Sequence, residues 1–156
     1  MLAVGKESHP GVYDGLAASD GVAYLRARPA GSADLVVAAD VFPYMGSLAD
    51  VLAAAQAALC VGGVLAFSTE AARLDECGGA GEGDGSAQAP RASRGWVKRA
   101  ESQRTAHSAE YLCWLVAEAS SELELCALSN VELRRDEGAV IRGFAVLLIK
   151  RARGGG

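Results

Sequence analysis

Between Ala33 and Glu70 the chain reads strand, acidic turn, amphipathic helix, Gly-Gly, strand, and this order constrains the fold more than any other feature. Leu35-Val36-Val37-Ala38-Ala39 is an apolar run without alternation, the pattern of a parallel strand covered by helices on both faces. It is expected at the centre of a sheet. Ser47-Leu48-Ala49-Asp50 has the form of a capping box, and Leu48, Val51, Leu52, Ala55 and Leu59 follow at helical spacing. Gly62-Gly63 is read as the helix stop and Val64 to Ser68 as a short buried strand, so the whole forms a right-handed βαβ unit. Only 32 residues stand upstream, and none of them makes a glycine-rich strand-to-helix loop. The expectation is a domain missing its front.

On either side the pattern is weaker. Val12 to Ala18 reads as a weak strand and Val22 to Leu25 as a brief helix, broken by Pro29 and Gly31. Residues 77–106 are Gly-, Ser- and Ala-rich, first acidic and then basic. Cys77 to Pro90 is expected to be a disordered insertion, with order resuming at the helix cap Ser108. Tyr111, Leu112, Leu115 and Val116 share a helical face. Alternation over Leu123–Ala127 and Val131–Leu133, the turn Asp136-Glu137-Gly138 and the run Val140–Ile149 then predict a closing antiparallel hairpin. Residues 151–156 read as a frayed tail.

A length of 156 residues, 51% of them hydrophobic, suits one domain with a buried core. The net charge of −4 argues against a surface built to coat nucleic acid or an anionic membrane, so a small-molecule ligand is expected. Cys60, Cys77, Cys113 and Cys126 contain no C-x-x-C pair and suggest neither a metal site nor a disulfide framework; Cys113 and Cys126 are expected in the core. No apolar stretch reaches membrane-span length, and the start carries no evident targeting signal, which points to the cytoplasm. Gly79 to Gly85 spells Gly-x-Gly-x-Gly, but no strand leads in and no helix follows, so it is a decoy. The basic segment Arg91 to Arg104 reads as a solvated loop, and His9 as a solvated side chain.

Parallel βαβ units followed by an antiparallel hairpin resemble class I S-adenosylmethionine-dependent methyltransferases. The segment Ala33 to Tyr44 is similar to their fourth strand and the loop after it, and Leu59 to Ser68 to their L-x-P-G-G-x-L-x-F-S passage, with Val61 in place of proline. Ser68-Thr69-Glu70, Ser102 to Ser108 and Val131 to Arg135 resemble predicted methyltransferases often fused to tetratricopeptide repeats. That group carries Ser-Gly-Arg-Tyr-Ala-His where this chain has Gln103 for glycine and Thr105 for tyrosine. The resemblance implies a partial Rossmann-like α/β fold with S-adenosylmethionine as cofactor. The first two strands, the Gly-rich loop and the ribose-binding acid would lie in a missing N-terminal segment or a partner chain, which would leave the Leu35–Ala39 strand without a neighbour on one side. It also implies that the isolated chain binds cofactor poorly.

Methyl transfer is an in-line displacement that an enzyme promotes mostly by holding donor and acceptor together. By resemblance, Asp20 would accept from the adenine amino group; the other reading is a helix cap. Asp40 would face the methionine end of the cofactor, or else form a turn. Val41, Phe42 and Tyr44 would wall the pocket, with Phe42 favoured as packing. His107 is the candidate to orient or deprotonate an acceptor, the simpler reading being a surface or capping histidine. Glu70 ends its strand at the ligand edge, where an exposed carboxylate is the ordinary expectation. Two rivals remain: a non-catalytic remnant or partner-binding fragment, and half of a nicotinamide-dependent oxidoreductase, which explains the closing hairpin poorly.

Overall fold

The computed structural model describes residues 11–77, 95–136 and 138–152. Helix α1 (Gly21–Arg26) leads into strand β1 (Ala33–Ala38), a 3₁₀ turn (Phe42–Tyr44), helix α2 (Ala49–Ala58) and strand β2 (Leu59–Ala71). A second 3₁₀ turn (Leu74–Glu76), short strands β3 (Trp96–Lys98) and β4 (Thr105–His107), helix α3 (Ala109–Ala119) and the hairpin β5 (Leu123–Asp136) and β6 (Ala139–Lys150) complete it. The six strands form one sheet in which β3, β4, β2, β6 and β5 lie in that order, with β1 also on β2. Strands β1 and β4 run parallel to β2, whereas β6 runs antiparallel to it. The architecture is the expected one: a parallel βαβ core in a mixed α/β sheet, closed by an antiparallel hairpin.

Strand β2 is longer than the apolar run Val64–Ser68 suggested. After α2 the chain extends at once, and Ala33 pairs with Leu59 while Leu35 pairs with Val64. The extra residues bulge at Gly62, whose φ of 84° an L side chain adopts only at a cost. Gly62-Gly63 therefore kinks a strand instead of ending a helix. Beyond the bulge β2 serves two neighbours along one edge, β1 against Val64–Phe67 and β4 against Glu70–Ala71.

The helices gather on one side. A single apolar cluster joins Val51, Leu52 and Ala55 of α2, Tyr111, Leu112 and Leu115 of α3, Leu65 and Phe67 of β2, and Phe144, Val146 and Leu148 of β6. Val22 and Leu25 of α1 pack against it. The opposite face of the sheet is bare among the described residues. Leu35 is 59% and Val37 61% exposed, and Leu147 is exposed beside them. A shallow groove there is lined by Val37, Ala39, Ala66, Ser68, Ala145 and Leu147. Strand β1 lies at an edge, pairing only with β2 among the described residues, as expected of a strand left without its other neighbour; the expectation that both its faces are covered is corrected, because one of them meets solvent.

Other readings also change. Residues 12–18 form no strand and are mostly exposed. Regular structure is present ahead of Ser108, because β3 and β4 add to the sheet; residues 78–94, with most of the Cys77–Pro90 stretch and the Gly-x-Gly-x-Gly decoy, lie outside the described residues, as does His9. Leu48, not Ser47, is the N-cap of α2, and Ser47 Oγ instead accepts from the Ala49 amide at 3.3 Å. Cys113 and Cys126 are exposed, whereas Cys77 is buried. Cys126 is the extra residue of a bulge, since Leu125 and Ala127 pair with the consecutive residues Leu148 and Leu147. The bulge moves the core-facing positions from Leu125 to Leu128.

The β3–β4 turn is closed by the Arg99 amide donating to Arg104 O at 2.8 Å and the Gln103 amide donating to Arg99 O at 2.9 Å. Gln103 takes a φ of 57° there, a left-handed conformation that costs a non-glycine residue roughly 1–2 kcal/mol. Gln103→Gly removes that strain at some cost in unfolded-chain entropy, so it is expected to stabilise the protein by about 0.5 kcal/mol, measured by urea unfolding.

Candidate active site

Ligands of open α/β sheets collect beyond the carboxyl ends of the parallel strands. At that end of β1 and β2 the chain brings together Asp40, Val41 and Tyr44 from the loop after β1, Glu70 near the end of β2, Arg104 just before β4 and Arg134 from β5. Asp40 has a φ of 55°, and its amide donates to Ser68 Oγ at 3.1 Å, which ties the loop to β2. Pro43 lies within the 3₁₀ turn that follows, where its fixed φ is compatible. The turn buries Phe42 against Phe67 (ring centroids 4.7 Å apart) and leaves Val41 and Tyr44 exposed.

Glu70 is only 4% exposed, contrary to the expectation of an exposed carboxylate at a strand end. Burying an ion is costly unless it is paired and hydrogen-bonded. Both arginines meet that need on one oxygen: Arg104 Nε donates to Glu70 Oε1 at 2.6 Å and Arg134 Nη2 at 2.8 Å. Arg104 also donates to the Tyr44 hydroxyl at 2.7 Å and to Asp40 Oδ1, and its guanidinium lies 4.9 Å from the centre of the Tyr44 ring. Arg134 is aimed by a second bulge, at Leu133, because Glu132 and Arg134 pair with the consecutive residues Arg142 and Ile141. Two carboxylates and two guanidiniums leave this end of the sheet locally balanced in charge.

His107 lies behind this cluster and is fully enclosed, so the surface reading is corrected. Its Nε2 is 2.8 Å from Gly46 O, an acceptor, and therefore carries the proton; Nδ1, 2.6 Å from Thr69 Oγ1, accepts from that hydroxyl. Burial pushes its pKa down from 6.5 to about 4, against the smaller upward pull of the neighbouring carbonyls, so the ring is neutral near pH 7. It stacks on Tyr111 at 5.7 Å, whose hydroxyl accepts the Leu48 amide at 2.8 Å and whose own pKa burial raises. Gly46 also lies under the Trp96 ring, with an indole carbon 2.9 Å from where a Cβ would stand. The helix cap is Ser108, whose Oγ accepts from the Tyr111 amide at 3.1 Å.

Asp20 is the N-cap of α1, its Oδ1 accepting from the Ala23 amide at 3.0 Å. It makes no contact with the Asp40 cluster that the structure records. Arg104 and Arg134 escaped the sequence reading as site residues, although both fall within the stretches that carry the family resemblance. Among the described residues no group of three His, Cys, Asp or Glu side chains could hold a metal ion, and no helix is long and apolar enough to cross a membrane.

No protein-family model matches the sequence, and no curated protein matches it. Solved structures do. A SAM-dependent methyltransferase from Methanosarcina mazei superposes with a TM-score of 0.60 at 14% identity, covering 96% of this chain and 76% of that one. A SAM-dependent methyltransferase from Leishmania major gives 0.59 at 16% identity, covering 95% of this chain but 50% of that one. The chain thus has the fold of the S-adenosylmethionine-dependent methyltransferases, over part of the length of those neighbours.

Proposed function

We propose that the chain is part of a class I methyltransferase domain that transfers the methyl group of S-adenosylmethionine to an acceptor, with Asp40, Val41 and Tyr44 on the cofactor side. The observation that carries this reading is the polar loop at the carboxyl ends of β1 and β2 in a sheet that superposes on such enzymes. The residues suit the group: the exposed Asp40 carboxylate complements a cationic sulfonium, and the Tyr44 ring offers a π face beside it. The cofactor would supply an activated methyl group; the chain would supply orientation and exclusion of water. Asp20 enters as the adenine contact and Phe42 as support through its packing on Phe67. Since His107 is enclosed with both nitrogens engaged, we place it as the strut of the Gly46 loop, and an acceptor would reach it only if that loop opened.

In this reading the domain is incomplete alone. A further segment or partner chain would pair with the outer edge of β1 and cover Leu35, Val37 and Leu147. The bare face equally supports the second reading, a methyltransferase-like remnant that binds a partner. Titration calorimetry of the chain with S-adenosylhomocysteine separates them. Saturable binding with a Kd of about 0.1–1 mM, lost in Asp40→Asn, is expected for the partial enzyme. Absence of heat at millimolar ligand rejects it, and tight one-to-one binding rejects the incompleteness.

A further inference from the structure

The four charged side chains at the strand ends have unequal roles. Glu70 is the anchor: it is buried, and both guanidiniums converge on its Oε1. The Arg134 guanidinium hydrogen-bonds only there. Its Nη1 is buried without a hydrogen bond and stands 3.8 Å from Asp40 Oδ1, an ion pair too long to be a hydrogen bond. Arg104 does more, because only its Nε is used on Glu70. Its Nη1 and Nη2 face the loop, one on the Tyr44 hydroxyl and the other on Asp40 Oδ1, and its Cζ lies 4.9 Å from the centre of the Tyr44 ring. One rigid group therefore joins three acceptors, two of them in a loop that the sheet otherwise holds through the Asp40 amide on Ser68 and the packing of Phe42.

We propose that Arg104 is a positioning residue that, anchored on buried Glu70, presets Asp40 and Tyr44 in the arrangement a ligand meets. The need for an arginine follows from the geometry: three donors spread in a fixed plane toward three acceptors cannot be reproduced by the point charge of a lysine. The left-handed backbone of Asp40 is a conformation that neighbours must hold, and Arg104 holds it from the carboxylate side. The ligand in question is the cofactor of the reading above, on which the binding half of this proposal rests; the preset loop itself does not depend on it.

The test uses the full chain with Arg104→Lys, Arg104→Met and, as a control, Arg135→Met, whose parent arginine is largely exposed and pairs with Glu132. In the unmodified protein the Arg104 Nε–H NMR signal should be protected from solvent exchange. Arg104→Lys should shift the Asp40 amide and Tyr44 ring signals as far as Arg104→Met does, and should weaken S-adenosylhomocysteine binding about tenfold in calorimetry, while Arg135→Met changes neither. A lysine that leaves those signals in place overturns the proposal whatever the titration shows. So does an Arg104 Nε–H that exchanges as fast as that of exposed Arg142, a measurement that needs no variant to fold. If the signals respond as expected but the unmodified chain binds no S-adenosylhomocysteine, the preset loop stands and the methyltransferase reading falls.

Discussion

Replacing Gly143 by alanine is expected to destabilise the protein by about 3–5 kcal/mol, lowering the melting temperature by roughly 10 °C or more. Gly143 pairs with Glu70 on one side and Val131 on the other, so it lies within the sheet beside the charged cluster. A Cβ added there would stand 2.2 Å from the Thr69 carbonyl oxygen and 2.3 Å from a Leu133 methyl carbon. The leucine could move; the carbonyl belongs to the backbone of β2 and cannot yield without disturbing the β2–β6 pairing. Thermal unfolding followed by circular dichroism checks the effect, with Gly15→Ala as control, since nothing lies within 4 Å of a Cβ at that position. A Gly143→Ala protein that melts with the control would show that this strand crossing is looser than the structure has it.

The second large effect is expected from acid. His107 is held neutral, with a pKa of about 4 against an ordinary 6.5, because burial disfavours the imidazolium. Above pH 6.5 the ring is neutral in both the folded and the unfolded chain, and its contribution to the pH dependence is constant. As the pH falls below 6.5 the unfolded chain takes up the proton first, so stability declines down to about pH 4, by about 3 kcal/mol in all. Below that the folded state binds the proton too, or unfolds. Urea unfolding at intervals from pH 7.5 to 4 measures the slope, and His107→Gln, destabilised throughout, should lose this part of it. A variant with the same slope would assign the acid sensitivity to other groups.

The hairpin was legible because its cause is local: alternating residues on either side of Asp136-Glu137-Gly138 state their own pairing, and Gly138 takes the positive φ of 85° that the turn requires. The helix α2 and the two strands around it were legible for the same reason. What escaped was set by distant partners. The apolar run Leu35–Ala39 says only that a strand avoids charge; whether both its faces are covered depends on layers that no local pattern encodes. Gly62-Gly63 signals a break without saying whether it ends a helix or bends a strand. The bulges at Cys126 and Leu133 change which side chains face inward, passing the core contact from Leu125 to Leu128 in a way that no alternation pattern states.

At the site, the loop Asp40–Tyr44 could be picked out because it directly follows a strand, while Arg104 and Arg134 could not be paired with it. The hydrogen-bond partners of their side chains lie 34 to 64 residues away in sequence, from the Arg104–Glu70 bond to the Arg134–Glu70 bond. Glu70 was misjudged because a carboxylate at a strand end is usually solvated; it is buried here because two cations arrive from separate elements. The burial of His107 had no local signal, because Thr105-Ala106-His107 is too short to read as a strand beside a Gly-, Ser- and Ala-rich stretch. All three residues are buried, as suits a short strand in the interior of a sheet.

The register of the sheet has a mechanical consequence. Ala33 at the start of β1 lies against Leu59, and Ile149 near the end of β6 lies against Val64, so both outer connections leave from the same end of β2. Tension applied through them would peel β6 away from β2 one rung at a time, starting at Ile149, instead of shearing all the rungs together. A tethered molecule would yield at low force, and the hairpin would be the first part to come loose.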